Sequence, residues 1–323
     1  MHSAVHSAGP GHPERDAPVA VLGECVADAF TTPAVSGALG LHVLPGGGPA
    51  NTAAALARLG TPTRFLGRLS GDVFGRLFRS RLTAAGVDLG AVVEAAEPST
   101  LAVADVDAHG SAAYSFHAAG TADWQWTDAE LERAARAPAA CLHTGSLALV
   151  RDPGGPAVER LLTAVRPRAT VSLDPNVRPL LVDPAHYRAQ LARWCAAADV
   201  LRCSEDDLVH LLPDAGPERA ADTWHTSGVR LVVVTLGARG VFASLDGHRL
   251  RVPTPPVTVV DTVGAGDAFT AGLLHGLHRA GALGGRLDGL GADVLHDALT
   301  AGVRLAAAVC TVRGADPPPS AAG

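Results

Sequence analysis

Four short, largely apolar runs near residues 140–144, 169–174, 199–203 and 231–235 recur along the chain, each followed by an amphipathic stretch. Strand-length runs alternating with helix-length segments bury both kinds of face in few ways. The pattern predicts a mainly parallel sheet with helices on both sides, because a parallel return needs a crossover and these crossovers are helical in character. Ligands of such sheets gather at the carboxyl ends of the strands. Here those ends are polar: Asp174-Pro175-Asn176-Val177-Arg178, Ser204-Glu205-Asp206-Asp207 and Thr235-Leu236-Gly237-Ala238-Arg239-Gly240. Any one of them is ordinary capping or turn chemistry. Their recurrence at successive strand ends favours a shared cleft.

The first half adds a strand over Pro18–Ala29, whose polar Glu24 and Asp28 point to a cleft end; a turn residue is the plain alternative for Asp28. Gly46-Gly47-Gly48-Pro49-Ala50-Asn51 opens a helix over Pro49–Leu59. Proline suits its first position and Gly60 its C-terminal cap. Three glycines let a ligand approach the backbone, and the Asn51 amide can both donate to and accept from a hydroxyl. A dinucleotide fingerprint is excluded, because Asn51 stands where G-x-G-x-x-G needs its third glycine. Thr63–Leu69 reads as a strand, and the helix after Ser70–Gly75 ends at Gly86. Leu101–Asp107 and Ala112–Phe116 alternate about a turn at Ala108-His109-Gly110. This hairpin breaks the strand–helix rhythm and reads as a lid, joined by strands from 31–45. Residues 120–126 return the chain to the core.

Residues 260–272, Val-Asp-Thr-Val-Gly-Ala-Gly-Asp-Ala-Phe-Thr-Ala-Gly, carry the clearest chemistry. Val257, Val259 and Val260 read as a strand end, and Ala268–Leu277 as a helix with Phe269, Leu273 and Leu277 on one side. Gly264-Ala265-Gly266 is then a tight turn opening a helix, a place where backbone N–H groups and the helix dipole favour an anion. Asp267 sits in the first turn. It is either an ordinary acidic first-turn residue or a base that takes a proton from a hydroxyl attacking that anion.

The 323 residues carry a net charge of −6, so no basic field suits nucleic acid or a membrane surface. All 26 basic residues are arginine. Without lysine there is no Walker lysine, no protein-kinase strand lysine and no Schiff base. Cys25, Cys141, Cys195, Cys203 and Cys310 form no C-x-x-C pair and read as free thiols of a reducing cytoplasm. No run has the length of a membrane span. Residues 1–17, with His2, His6 and His12, read as a disordered leader. His275 and His278 read as a helix face rather than a metal pair. Leu299–Val312 is a last helix, and Gly314–Gly323 a proline-rich tail.

Three separated motifs coincide: Gly46–Gly60, Asp261–Phe269 and Val234–Gly240. Together they resemble the PfkB, or ribokinase-like, family of carbohydrate kinases, from about residue 18 to 318. Within it the resemblance is to bacterial fructokinases, on Tyr114-Ser115-Phe116-His117, Gly120–Trp124, His143–Leu147 and Asp174–Arg178. The resemblance implies a ribokinase-like three-layer α/β/α sandwich with a mainly parallel central sheet and a small β lid. The lid comes from about 31–45 and 98–125 of a kinase domain at 18–318, with 319–323 as tail.

It further implies ATP, Mg2+ and often a monovalent cation such as K+. Asp267 would be the base, and Gly264, Ala265 and Gly266 the anion hole. Asp28, Gly47, Gly48, Asn51, Phe116 and Arg178 would meet the sugar. Ser204, Asp207, Thr235, Gly237 and Gly240 would line the nucleotide site, and Asp261 and Thr262 the monovalent cation. Where the family often has N-x-x-E, this chain has Ser204-Glu205-Asp206-Asp207, which keeps oxygen ligands on shorter reaches. Fructose is the expected substrate; 2-keto-3-deoxygluconate, ribose, a nucleoside, or a non-catalytic sugar-binding role are the alternatives. Lid hairpins of the family often pair in a homodimer.

Overall fold

The computed structural model describes residues 17–35, 38–106 and 112–318. The expected leader (up to residue 16), the hairpin turn at 108–110 and the tail at 319–323 lie outside the described residues.

The chain begins with β1 (Val19–Leu22), then leaves the central sheet at once. Pro18–Ala29 is not one strand, as the sequence suggested. Gly23, at φ +156, turns the chain, and the Cys25 N–H bonds the Asp123 carboxylate at 2.9 Å. The next strand, β2 (Val26–Val35), pairs antiparallel with β3 (Ala38–Gly46) in a separate sheet. Asp28 therefore belongs to that second sheet. The glycines then admit α1 (Gly48–Arg58), an alanine-rich helix with Pro49 at its start and Gly60, at φ +83, just past its end.

Thr63–Leu69 also divides, at Gly67. β4 (Thr63–Leu66) stays with β1, while β5 (Arg68–Ser70) pairs with β6 (Val93–Ala95) beyond α2 (Val73–Ala84). Asp72 caps α2 by accepting from Gly75 N–H at 2.8 Å. β7 (Thr100–Val106) and β8 (Ala112–His117) complete a four-stranded sheet of order β3-β2-β7-β8. This separate sheet takes residues from both stretches expected to form the lid and reaches back to Val26, and it is called the lid below.

After α3 (Asp128–Arg136) the strand–helix alternation runs as predicted: β9 (Cys141–Gly145), α4 (Gly155–Val165), β10 (Thr170–Asp174), α5 (Pro184–Ala197), β11 (Val200–Ser204), α6 (Glu205–Leu211), α7 (Pro217–Thr226) and β12 (Leu231–Thr235). Beyond β12 lies a hairpin absent from the sequence-based expectation, β13 (Val241–Leu245) and β14 (His248–Val252), about Asp246-Gly247. The eight-stranded order is β14-β13-β12-β11-β10-β9-β1-β4, parallel from β12 to β4 and antiparallel at the hairpin.

Strand period two sorts the core. Val19, Val21, Val200, Leu231 and Val233 pack with α1, α2, α8 (Ala265–Arg279) and α9 (Ala292–Val309). Ala20, Leu22, Leu142, Val171 and Val232 pack with α3 to α7. These are the two helical layers of a three-layer sandwich. Two further expectations change. Val257, Val259 and Val260 are exposed in an irregular loop, not a strand, because the hairpin has already ended the sheet. The last helix starts at Ala292 and ends at Val309, earlier at both ends than the apolar run suggested. No described helix is long and apolar enough to cross a membrane.

Candidate active site

The strand register brings the polar ends into one row. Asp174 pairs with Gly145, and Ser204 with Thr235. Above this row lies a cleft of about 540 Å3 under the lid, lined by Asp28, Phe116, Asn176, Arg178, Arg202 and Asp267 among others. A second hollow of about 540 Å3, over Ser204, Asp207, Thr235 and Gly237, shares Asn176, Arg178, Arg202 and Gly266 with the first. The two therefore join at Gly266.

Gly264 takes φ 76, a left-handed conformation that starts α8 without a side-chain cap. The Ala265 N–H donates to the Thr262 carbonyl at 3.2 Å. Gly264, Gly266 and Asp267 donate to no acceptor among the described residues. The anion hole expected of Gly264, Ala265 and Gly266 thus loses the Ala265 N–H. The open amides are those of Gly264, Gly266 and Asp267, at the positive end of a 15-residue helix.

Asp267 Oδ2 accepts from Asn51 Nδ2 at 2.8 Å. A Cβ on Gly48 would stand 3.1 Å from both Asp267 Oδ1 and Asn176 Nδ2. The bare Gly48 thus keeps that edge of the carboxylate open to the cleft. Burial pushes the Asp267 pKa up to about 6, against the opposing Asn51 bond; Asp174 adds to the rise, and Arg178 and Arg202 oppose it. Asp28, on the cleft-facing side of the lid, is pushed up to about 6 by burial, with Arg178 and Arg81 opposing. Gly47, at φ +101, packs so close that a Cβ would lie 3.1 Å from the Cys25 Cα. Phe116 and Arg178 line the cleft.

On the second hollow, Ser204 and Asp207 form a capping box: Asp207 Oδ2 accepts from Ser204 N–H at 2.9 Å and Oγ at 2.6 Å. Asp207 Oδ1 accepts from Val177 N–H at 2.8 Å. Thr235 and Gly237 line this hollow, but Gly240 does not. At φ +92, Gly240 closes the turn into β13 by bonding the Gly237 carbonyl, so its role is conformational. Asp261 accepts from Val263 N–H at 3.0 Å and Gly314 N–H at 2.9 Å, tying the helix-opening loop to the segment after α9. Thr262 borders the cleft.

Glu24 and Asn176 were marked by the sequence as cleft residues, but Arg202 was not. Arg202, 5% exposed, bonds Asp174 at 2.6 Å and Thr235 Oγ1 at 2.8 Å. Its guanidinium would lie 2.9 Å from a Cβ at Gly266. With Arg178 it brings positive charge to the junction in a chain without lysine. A lone arginine inside the buried strand Val-Leu-Arg-Cys-Ser was the available signal. Glu24, 3% exposed, is pushed up to about 7 by burial at the cleft floor, and Asn176 sits beside Gly48. Each ring of the histidine pair has its own hydrogen-bond partner: His275 bonds Thr61 at 2.8 Å and His278 the Ala17 carbonyl at 3.1 Å.

Chemically, one half of this cleft offers side chains for hydroxyls, and the other brings the open amides at the start of α8 together with Arg178 and Arg202, beside Glu205, Asp206 and Asp207. A carboxylate with one open oxygen stands where they meet. The profile of the pfkB family of carbohydrate kinases matches residues 17–322. A fructokinase of Rhizobium leguminosarum bv. trifolii is 36% identical over 256 residues, covering 79% of this chain and 78% of that one. A fructokinase of Klebsiella pneumoniae is 37% identical over 268 residues, covering 81% and 84%. The Vibrio cholerae O395 fructokinase structure in its fructose-, ADP- and calcium-bound form superposes with a TM-score of 0.77 at 28% identity, covering 93% of this chain and 95% of that one. The ATP-bound Xylella fastidiosa fructokinase gives 0.85 at 24% identity over 96% and 97%, a likeness of fold.

Proposed function

The chain belongs to the pfkB family of carbohydrate kinases, and from that premise we propose that it uses ATP to phosphorylate a sugar hydroxyl, with fructose as substrate and fructose 6-phosphate as product. The observation that carries the assignment of roles is the junction at Gly266, where Asp267 Oδ1 faces the cleft beside the open amides of the turn.

Asp267 accepts the proton of the attacking hydroxyl, the hydroxyl oxygen forms the new bond to the γ-phosphorus, and ADP leaves. Charge developing on the transferred group meets the N–H groups of Gly264 and Gly266 and the field of Arg202. Asp28, Gly47, Gly48, Asn51, Phe116 and Arg178 hold the sugar. Ser204, Asp207, Thr235 and Gly237 border the nucleotide. Residues 18–318 act as one kinase domain, the lid closing over the sugar to exclude water.

Mg2+ would neutralise phosphate charge on the side of Ser204, Asp206 and Asp207. No described group of three or more acidic, His or Cys side chains forms a cage, which fits an ion that arrives with the nucleotide. Asp207 already accepts three hydrogen bonds, so exposed Asp206 is the freer carboxylate on that side. Asp261 and Thr262 would hold a monovalent cation. Backbone donors from Gly314 and Val263 outweigh burial to keep Asp261 below its ordinary range, so that carboxylate stays anionic. A homodimer through the lid is supported by exposed apolar Phe30, Leu44 and Tyr114 on one face of its sheet. Four buried free cysteines suit a reducing cytoplasm.

ADP release with ATP and Mg2+ across fructose, ribose, 2-keto-3-deoxygluconate, glucose and adenosine tests the substrate. Fructose should give the highest kcat/KM. A higher value for another acceptor would replace fructose but keep the chemistry, and sugar binding without turnover on any of them would indicate a binding protein.

A further inference from the structure

The Asn51 amide is clamped at both ends. Its Oδ1 accepts from Arg81 Nη1 at 2.9 Å, and its Nδ2 donates to Asp267 Oδ2 at 2.8 Å. A guanidinium only donates and a carboxylate only accepts. Only one rotation of the amide satisfies both, since the reverse would set NH2 against guanidinium and carbonyl against carboxylate. Arg81 is held in turn. Its side chain is 9% exposed, and its Nη2 bonds Asp316 Oδ1 at 2.7 Å. Asp316 also pairs with Arg58 at 2.7 Å. Residues from α1, α2, α8 and the segment after α9 thus form one chain of hydrogen bonds ending on Asp267.

We propose that Arg81 is a positioning residue for phosphoryl transfer: through Asn51 it holds the Asp267 carboxylate with Oδ1 turned to the cleft, and Asp316 anchors Arg81. This role rests on Asp267 being the base. Without Arg81 the amide is free to turn, and the carboxylate loses both its donor and its fixed orientation. Misorienting a reacting group by about an ångström costs up to about 10²-fold in rate. The other charged groups facing Asp267 are Asp174, Arg178 and Arg202, none of which bonds Asn51. Arg81 also borders a side chamber beneath the lid, with Asp28 and Asp316, so a direct effect on substrate is the rival explanation.

A double-mutant cycle separates the two. Steady-state kinetics with ATP and fructose would be run on the wild type, Arg81→Met, Arg81→Lys, Asn51→Ala, Arg81→Met/Asn51→Ala and Asp267→Asn. Arg81→Met should lower kcat roughly tenfold or more and move the acid limb of kcat/KM to higher pH, because Asp267 loses a donor and Asp28 loses an opposing charge; the part that passes through Asn51 is the part lost in the Asn51→Ala background. Arg81→Lys should recover most of the loss. In the Asn51→Ala background Arg81→Met should change kcat/KM by less than about twofold, since its effect passes through Asn51. Additive losses, or an unmoved acid limb, would overturn the proposal. If Arg81→Met does not fold, Asp316→Asn carries the test, because it alters only a half-exposed anchor; it should move the limb in the same direction by less, and an unmoved limb would again overturn it. An active Asp267→Asn would remove the base and the proposal together. An inactive Asp267→Asn beside an additive cycle would remove the proposal alone.

Discussion

Asp267 is placed to be ionised under working conditions yet basic enough to matter. Burial carries its pKa to about 6, so kcat/KM should rise through about pH 6 and level off above it; a pH–rate profile checks this. Asp28 and Glu24, at about 6 and about 7, share the cleft and that limb. The same burial has an opposite consequence for stability. A carboxyl whose folded pKa exceeds its unfolded value of about 3.9 favours the folded state at low pH, and that contribution is lost as pH rises through 6. Asp267→Asn should therefore be inactive but more stable than wild type at pH 7.5, by about 1 kcal/mol. The difference should close below about pH 4, as thermal denaturation at the two pH values would show. Asp267, Asn51 and the glycines were legible in the sequence because each stands in a turn-then-helix context that only certain residues permit. Arg81 was not legible. On its own helix it is one more charged residue among Arg76 and Arg79, and its meaning comes from Asn51 and from Asp316, 235 positions away.

Among elements, the pair α8 and α9 sets the floor of the site, since α8 begins at the anion turn. Their crossing is built on glycine: a Cβ on Gly272 would stand 2.7 Å from Gly302 Cα, and one on Gly276 2.7 Å from Ala298 Cα. Helix propensity alone would make Gly272→Ala stabilising by about 1 kcal/mol. The backbone contact reverses the sign, so the variant should lose about 1–3 kcal/mol in urea unfolding. The sequence yielded the elements best where period and punctuation agreed, as in β9 to β12 and α1. It misled where an apolar run crossed a glycine, because Gly23 takes φ +156 and a Cβ on Gly67 would run into the Phe65 ring, and hydrophobicity reports neither. It also misled at Val257–Val260, whose apolar residues stay exposed. The β13–β14 hairpin did have a signal, Asp246-Gly247 between alternating strands.

On the scale of the whole molecule, the parallel sheet fixes where phosphate chemistry sits, and the lid decides what reaches it. Parallel topology and cleft position followed from the strand–helix rhythm, whereas the assignment of β2 to the lid required the three-dimensional path. One face of the lid sheet exposes Phe30, Leu44 and Tyr114. Sedimentation should find a dimer, and Leu44→Glu with Tyr114→Glu should shift it to monomer; a wild type that is monomeric at all concentrations would contradict lid pairing. The most direct measurement remains turnover of ATP with fructose by wild type and Asp267→Ala, both checked for fold and for fructose binding. A base in the assigned place predicts a fall of roughly 10²–10⁴-fold in kcat with the fold intact. Turnover in the variant close to wild type would contradict it.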